Sequence, residues 1–174
     1  KCDGKTRTRW EKLDFEPTEA LKHTLEGNCW YFGIGKEPNY FNAALAYKKA
    51  DALSYLEGTN NLGNCFFYGN GVPKDYSAAI ECYTRAANME HMSATYNLAY
   101  CYEYGYGVEK DINLAVTYYI KAAKQGLLKA QRRLGEYYLN QDIDKAIYWY
   151  EKAVEAGDAQ SKMFLKMIQK VEKK

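Results

Sequence analysis

Residues 60–87 read NNLGNCFFYGNGVPKDYSAAIECYTRAA, and residues 96–126 read YNLAYCYEYGYGVEKDINLAVTYYIKAAKQG. The two stretches align with an offset of 36 residues, and the offset continues towards both ends of the chain. The positions that recur are Gly27, Gly63, Ala99 and Gly135; Gly33, Gly69 and Gly105; Gly35, Gly71 and Gly107; Asn39, Asp75 and Asp111; Ala43, Ala79 and Ala115; Tyr47, Tyr83 and Tyr119; and Ala50, Ala86 and Ala122. A fourth unit is shorter. Its equivalent residues follow those of the third unit by 31 positions and are Asp142, Ala146, Tyr150 and Ala153. The chain is therefore a series of internal repeats of one supersecondary unit.

Each repeat predicts two helices. The second carries the pattern Ala-x₃-Tyr-x₂-Ala, as in Ala79, Tyr83 and Ala86, and offsets of four and seven place these side chains on one helical face. The first pairs a small residue with a ring three positions on, as Gly63 does with Phe66. The small residue lets a neighbouring helix approach, and the ring fills the space beside it.

The residues between the helices agree with this interpretation. A capping residue precedes every second helix: Asn39, Asp75, Asp111 and Asp142. Gly-x-Gly pairs separate the two helices of a repeat, where glycine tolerates positive φ. Gly126 and Gly157 follow second helices, as C-terminal caps do.

The two quoted stretches resemble Sel1-like repeats, whose pattern is Leu-Gly-x₂-Tyr-x₂-Gly-x-Gly-Val, then Asp, then Ala, an aromatic residue and Ala-Ala-x₂-Gly. Residues 54–89 and 90–125 match it closely, residues 126–157 form a shortened repeat, and residues 18–53 form a divergent one. The resemblance implies an all-α protein: a right-handed α-solenoid of about four helix-turn-helix repeats, related to tetratricopeptide proteins.

The two flanks differ from the repeats. Residues 158–174 predict a C-terminal capping helix with an apolar inner stripe and a charged outer face. The stripe comprises Met163, Phe164, Met167, Ile168 and Val171, and the outer face comprises Lys162, Lys166 and Lys170. Residues 1–17 carry mixed charge around Trp10 and are interpreted as an N-terminal flank or cap.

Composition narrows the classes of partner. The net charge of +2 argues against a nucleic-acid binder, which usually carries a basic stripe. No apolar run has the length of a membrane-spanning helix, and no signal peptide is visible. We therefore expect neither nucleic acid nor a membrane as partner, while the start at Lys1 leaves an upstream segment open.

The sequence lacks a catalytic constellation. A Gly-x-Gly pair of a dinucleotide site follows a strand and opens a helix, whereas these pairs follow helices. The histidines, His23 and His91, have no metal-site spacing, and no Gly-x-Ser-x-Gly motif occurs. We expect no catalytic residue, no metal ligand and no cofactor.

Three cysteines follow the repeat period: Cys29, Cys65 and Cys101. Neighbouring helices lie about 8–10 Å apart, whereas a disulfide needs Cα atoms within about 7 Å. Where the disulfide-rich branch of the family has bridging cysteines, this chain mostly has alanine. We therefore expect buried, reduced thiols and a cytoplasmic location, with a redox or metal role as the alternative.

The candidate binding residues come from the family register. In related helical-hairpin repeats, the first helices line a concave face, and ligands contact residues beside the core stripe. The corresponding positions are Asn28, Tyr31, Asn60, Asn64, Phe67, Tyr96, Tyr100, Glu103, Arg132 and Glu136. The resemblance to tetratricopeptide grooves implies that Asn28 and Asn64 bind peptide backbone.

These observations favour a non-enzymatic scaffold or adaptor that binds a peptide or a partner helix on its concave face. One alternative is a regulatory repeat segment of a larger protein, with or without an enzyme domain beside it. Another is a hydrolase or β-lactam-binding activity, as the resemblance to disulfide-rich relatives implies.

Overall fold

The computed structural model describes residues 17–172, so the predicted flank at residues 1–17 lies almost wholly outside the described part. The described residues form nine helices and no strand, which confirms the predicted all-α class. The helices are α1 (Glu19–Phe32), α2 (Tyr40–Ala52), α3 (Leu56–Tyr68), α4 (Tyr76–Asn88), α5 (Met92–Tyr104), α6 (Ile112–Lys124), α7 (Leu128–Tyr138), α8 (Ile143–Glu155) and α9 (Ala159–Glu172).

The predicted caps are confirmed at every second helix. Asn39 accepts the N–H of Asn42 at 2.9 Å, and Asp75 accepts that of Ala78 at 3.0 Å. The same bond recurs at the other two helices, from Asp111 to Leu114 and from Asp142 to Lys145. Four second helices therefore begin at an Asn or Asp that satisfies an otherwise unpaired N–H group.

Second helices also end alike, in a residue with positive φ. Gly126 and Gly157 hold this position in the later repeats, with φ of 93° and 94°. Ser54 and Glu90 hold it in the earlier ones, with φ of 57° and 63°. Because a side chain disfavours this conformation, the two earlier repeats carry backbone strain that glycine removes from the later ones.

In three of the first helices, the recurrent glycine packs against the tyrosine of the following helix. A Cβ atom added to Gly27 would lie 2.4 Å from the ring of Tyr47, and one added to Gly63 would lie 2.7 Å from the ring of Tyr83. Gly135 meets the ring of its own repeat's tyrosine at 2.6 Å. The small residue is thus required by the tyrosine of the second helix.

The chain divides into two compact units. The first comprises residues up to Ala94 together with Tyr106–Val108, and its core includes Ala43, Tyr47, Leu62 and Cys65. The second comprises Thr95–Gly105 and the residues from Glu109 onwards. Its core contains Ala99, Ala115, Tyr119, Ala122, Ala123, Ala130, Leu134 and Trp149, with a further cluster of Ala146, Tyr150 and Ile168.

Helix α9 covers the last repeat, but with a narrower apolar face than predicted. The ring of Phe164 stacks on Tyr150 with centroids 5.2 Å apart, and Ile168 is buried. Met163 and Met167 are instead 56% and 58% exposed, because they lie to the side of the face that contacts α8. The prediction that both methionines face inward is wrong, and the side chain of Val171 lies outside the described part.

Candidate functional site

A groove of about 420 Å³ lies in the first unit. Helix α1 contributes Asn28, Tyr31 and Phe32; α2 contributes Tyr47; and α3 contributes Glu57, Asn61, Asn64 and Tyr68. Three of these side chains were predicted to bind a partner, namely Asn28, Tyr31 and Asn64. The groove has the size of a small ligand site and combines amides, aromatic rings and one carboxylate.

The two equivalent asparagines are held in the same way. The hydroxyl of Tyr47 donates to Oδ1 of Asn28 at 2.8 Å, and that of Tyr83 donates to Oδ1 of Asn64, also at 2.8 Å. Each tyrosine ring packs on the glycine that precedes its asparagine, so packing and hydrogen bonding fix one geometry. Burial raises the pKa of Tyr47, which keeps its hydroxyl a donor. The carboxamide oxygen therefore faces the tyrosine, and the NH₂ group takes the other edge.

Aromatic rings form one end of the groove. The hydroxyl of Tyr31 accepts a hydrogen bond from Nδ2 of Asn70 at 2.8 Å, and its ring lies edge-on to Phe32 at 5.0 Å. Phe32 and Tyr68 occupy equivalent repeat positions and are 67% and 61% exposed. Such exposure leaves apolar ring surface available to a partner.

A carboxylate lies in the first turn of α3. Glu57 Oε2 is 3.0 Å from Nε2 of His91, while Nδ1 of His91 accepts the N–H of Ala94 at 3.2 Å. The hydrogen bond from His91 lowers the pKa of Glu57, with burial opposing it, so the carboxylate is ionised near neutral pH. Sequence reasoning missed Glu57, although its spacing from Asn61, Asn64 and Tyr68 placed it on the same helical face.

Asn60 and Phe67 are buried, with 3% and 9% of their surface exposed, so they are not part of the candidate binding surface. The ring of Phe67 packs edge-on against Tyr68, Tyr76 and Tyr106 at 5.0–5.3 Å. Tyr106 comes from the turn of the following repeat, which encloses the position. These two residues belong to the core of the first unit.

In the second unit, the predicted residues Glu103 and Glu136 belong to a partly buried ionic network. Both carboxylates bind Arg133, which the sequence analysis did not single out; its Nη1 lies 3.1 Å from Oε2 of Glu136. Burial alone would lower the pKa of Arg133, but the Glu103 carboxylate outweighs it and the net change is upward. Glu103 also accepts the hydroxyl of Tyr119 at 2.7 Å. The network stabilises the unit, and its carboxylates are already paired with Arg133 inside the unit.

The other predicted residues of this unit also make structural contacts. Arg132 binds the buried carboxylate of Asp158 at 3.2 Å, which links α7 to the start of α9. The ring of Tyr96 packs on Tyr119 at 5.2 Å, and the ring of Tyr100 packs on Tyr104 at 4.6 Å. Tyr96 and Tyr100 are half-buried, whereas Tyr104 is exposed. No carboxamide stands at the position of Asn28 and Asn64 here, since that position holds Tyr100 and Glu136.

The cysteines bear out only part of the prediction. Cys65, Cys82 and Cys101 are buried and free, and burial raises the pKa of the Cys65 and Cys101 thiols to about 12. Cys29 is disulfide-bonded, so the prediction of a reduced Cys29 is wrong. The three equivalent cysteines do not pair with one another, as their spacing indicated.

The described residues form neither a metal-binding cluster nor a membrane-spanning helix. Residues 17–172 contain no group of three or more His, Cys, Asp or Glu side chains that is arranged to hold a metal ion. Within the same range, every helix is too short or too polar to cross a bilayer.

The sequence comparison identifies three repeats. The family model for the Sel1 repeat matches residues 56–91, 93–127 and 128–158, which together make up more than half of the chain. The predicted divergent repeat, residues 18–53, lies outside these segments. No curated protein matches the chain.

Solved structures of repeat proteins share the fold. The Sel1 repeat protein from Oxalobacter formigenes matches with a TM-score of 0.79 at 28% identity, over 91% of this chain and 66% of that protein. The c5321 protective antigen of uropathogenic Escherichia coli, which displays an SLR fold, matches with a TM-score of 0.77 at 25% identity. That match covers 92% of this chain but 35% of the antigen, so the chain spans only part of each relative.

Proposed function

The chain belongs to the Sel1 repeat family, and we propose that it is a non-enzymatic scaffold that binds an extended peptide in the groove of its first unit. Sel1 repeat proteins generally mediate protein interactions. What the proposal adds is the class of ligand and its place on the chain. The second unit, whose predicted contact residues are paired with or packed against other residues of that unit, has no part in it.

One observation carries the proposal: two equivalent carboxamides line one groove and are fixed in one orientation. Asn28 and Asn64 each accept a tyrosine hydroxyl at 2.8 Å. A side chain that is already ordered loses little conformational entropy on binding, so its NH₂ group binds a peptide carbonyl at low cost. The exposed rings of Phe32 and Tyr68 supply apolar contact beside these amides.

Catalysis is not part of the proposal, for a chemical reason. The lining combines one carboxylate with amides and phenols, and burial raises the pKa of the Tyr31 and Tyr47 hydroxyls. Such phenols are poor nucleophiles and poor bases at neutral pH. A cytoplasmic location also stays a prediction, and the disulfide at Cys29 removes part of its basis.

Selection from a random peptide display library on the immobilised chain tests the proposal. We expect recovered peptides to bind the wild-type chain and to lose at least about tenfold in affinity to the double variant Asn28→Ala/Asn64→Ala. Asn88→Ala, an exposed asparagine at the end of α4, is the matched control and keeps full affinity. Recovery of no binders, or binding that the double variant retains, would contradict the proposal.

A further inference from the structure

We propose that the groove selects peptides by a cationic side chain, that of an arginine or a lysine, which binds at Glu57. This inference rests on the proposed peptide binding and specifies the chemistry of the peptide. Among the described residues that line the groove, Glu57 alone carries a charge, and neither lysine nor arginine is among them. A carboxylate of a bound peptide would meet like charge there, whereas a cation would find its complement.

The position of Glu57 makes its charge part of the groove. Glu57, Asn61, Asn64 and Tyr68 follow one another at spacings of four, three and four along α3, so they share one face of the helix. The side chain of Glu57 is 48% exposed. Its carboxylate is therefore accessible at the same face as the asparagine that we assign to the peptide backbone.

The hydrogen bond with His91 leaves the negative charge of Glu57 in place. Because Nδ1 of His91 accepts the N–H of Ala94, that nitrogen carries no proton, and the ring is the neutral tautomer with its proton on Nε2. This proton is donated to Glu57 across 3.0 Å. A neutral donor orients the carboxylate without neutralising it, and a carboxylate accepts about four hydrogen bonds in all.

The rings of the groove favour the same ligand. Tyr31, Phe32, Tyr47 and Tyr68 all line it. A guanidinium or ammonium group is attracted to the face of such a ring, in addition to its attraction to a carboxylate. Arginine fits better than lysine, because its planar group both stacks on rings and binds a carboxylate in two places.

The geometry also gives a spacing along the peptide. Eleven positions of α3 separate Glu57 from the exposed ring of Tyr68, which corresponds to about 16 Å along the helix. An extended peptide advances about 3.3 Å per residue, so the same distance spans about five residues. We therefore expect the cationic residue and an apolar residue to stand about five positions apart in the ligand.

The test uses the peptides recovered in the display selection. One peptide is resynthesised with its arginine or lysine replaced by the neutral citrulline or norleucine, and with a glutamate in its place. The dissociation constants of these probes are measured for the wild type, Glu57→Gln and Glu81→Gln. Glu81 is exposed on α4 and outside the groove lining, so its substitution makes the same change of net charge elsewhere.

We expect the wild type to bind the cationic peptide about tenfold more tightly than its neutral counterpart, and the glutamate peptide most weakly. Glu57→Gln is expected to abolish this difference, while Glu81→Gln retains it. Neutral peptides that bind as tightly as cationic ones, with sensitivity to Asn28→Ala/Asn64→Ala retained, would overturn the inference and leave peptide binding standing. Absence of any binding sensitive to the asparagines would overturn both.

Discussion

Tyr83 and Tyr150 occupy the same place in two repeats, but their hydroxyl groups differ in environment. The Tyr83 hydroxyl donates to Asn64 at 2.8 Å, whereas the buried Tyr150 hydroxyl has no partner among the described residues. We expect Tyr83→Phe to lower the free energy of unfolding by about 1 kcal/mol, and Tyr150→Phe to leave it unchanged or raise it. Urea unfolding followed by circular dichroism measures both, and equal losses in the two variants would refute this assignment.

Residues with positive φ at the ends of the second helices give a reciprocal pair of substitutions. Glu90 has φ of 63°, and Gly126, its equivalent, has φ of 93° with nothing within 4 Å of an added Cβ atom. We expect Glu90→Gly to raise the free energy of unfolding by about 0.5–1 kcal/mol, and Gly126→Ala to lower it by a similar amount. Thermal unfolding compares the two, and a shift of the same sign in both would contradict the account.

At the scale of the element, the Gly-x-Gly turn of one repeat packs against the preceding repeat. A Cβ atom on Gly71 would lie 2.0 Å from the carbonyl oxygen of Tyr40, and one on Gly107 would lie 2.7 Å from Cβ of Tyr76. The second glycine of the turn therefore contacts the start of the previous second helix. The shortened repeat lacks this turn, and its first helix, α7, ends at Tyr138.

Substitution of this glycine should disrupt the junction. We expect Gly71→Ala to lower the free energy of unfolding by about 2–4 kcal/mol, since the backbone atoms that it meets cannot move without displacing α2. Gly126→Ala is the control, because it introduces positive-φ strain without a steric contact. Equal losses for the two variants, measured by urea unfolding, would show that the contact does not contribute.

Much of the element pattern was predictable, because caps and glycines act locally. Asp75 and Asp111 begin their helices through bonds three residues away, which sequence spacing alone specifies. The burial of Phe67 was not predictable from its own repeat, since Tyr106 of the next turn encloses it. Arg133 was missed for a similar reason. Its partner Glu103 lies 30 residues away, a separation that does not match the offset between repeats.

For the whole molecule, buried groups with raised pKa values set the response to alkaline pH. The thiols of Cys65 and Cys101 ordinarily titrate near 9.0, and burial raises their pKa to about 12. Below pH 9 both states hold these protons, so the stabilising contribution is complete. Between about pH 9 and 12 only the unfolded state releases them, so stability falls, by up to about 1.4 kcal/mol per pH unit for each thiol.

Unfolding in urea at about pH 8 and about pH 10.5 checks this expectation. The free energy of unfolding should be lower at the higher pH, and the decrease should be smaller for Cys65→Ala/Cys101→Ala. Buried tyrosines such as Tyr47 and Tyr119 contribute with the same sign, because burial raises their pKa too. An unchanged decrease in the double variant would contradict the role of the thiols.

The central claim is that Asn28 and Asn64 bind the backbone of an extended peptide. The most direct measurement is a titration of the ¹⁵N-labelled chain with a peptide from the display selection, observed in ¹H–¹⁵N correlation spectra. We expect the side-chain NH₂ signals of Asn28 and Asn64 to shift most, together with the backbone amides of Phe32 and Tyr68, while the signal of Asn88 stays in place. Shifts confined to the second unit, or no shift at either asparagine under saturating peptide, would contradict the account.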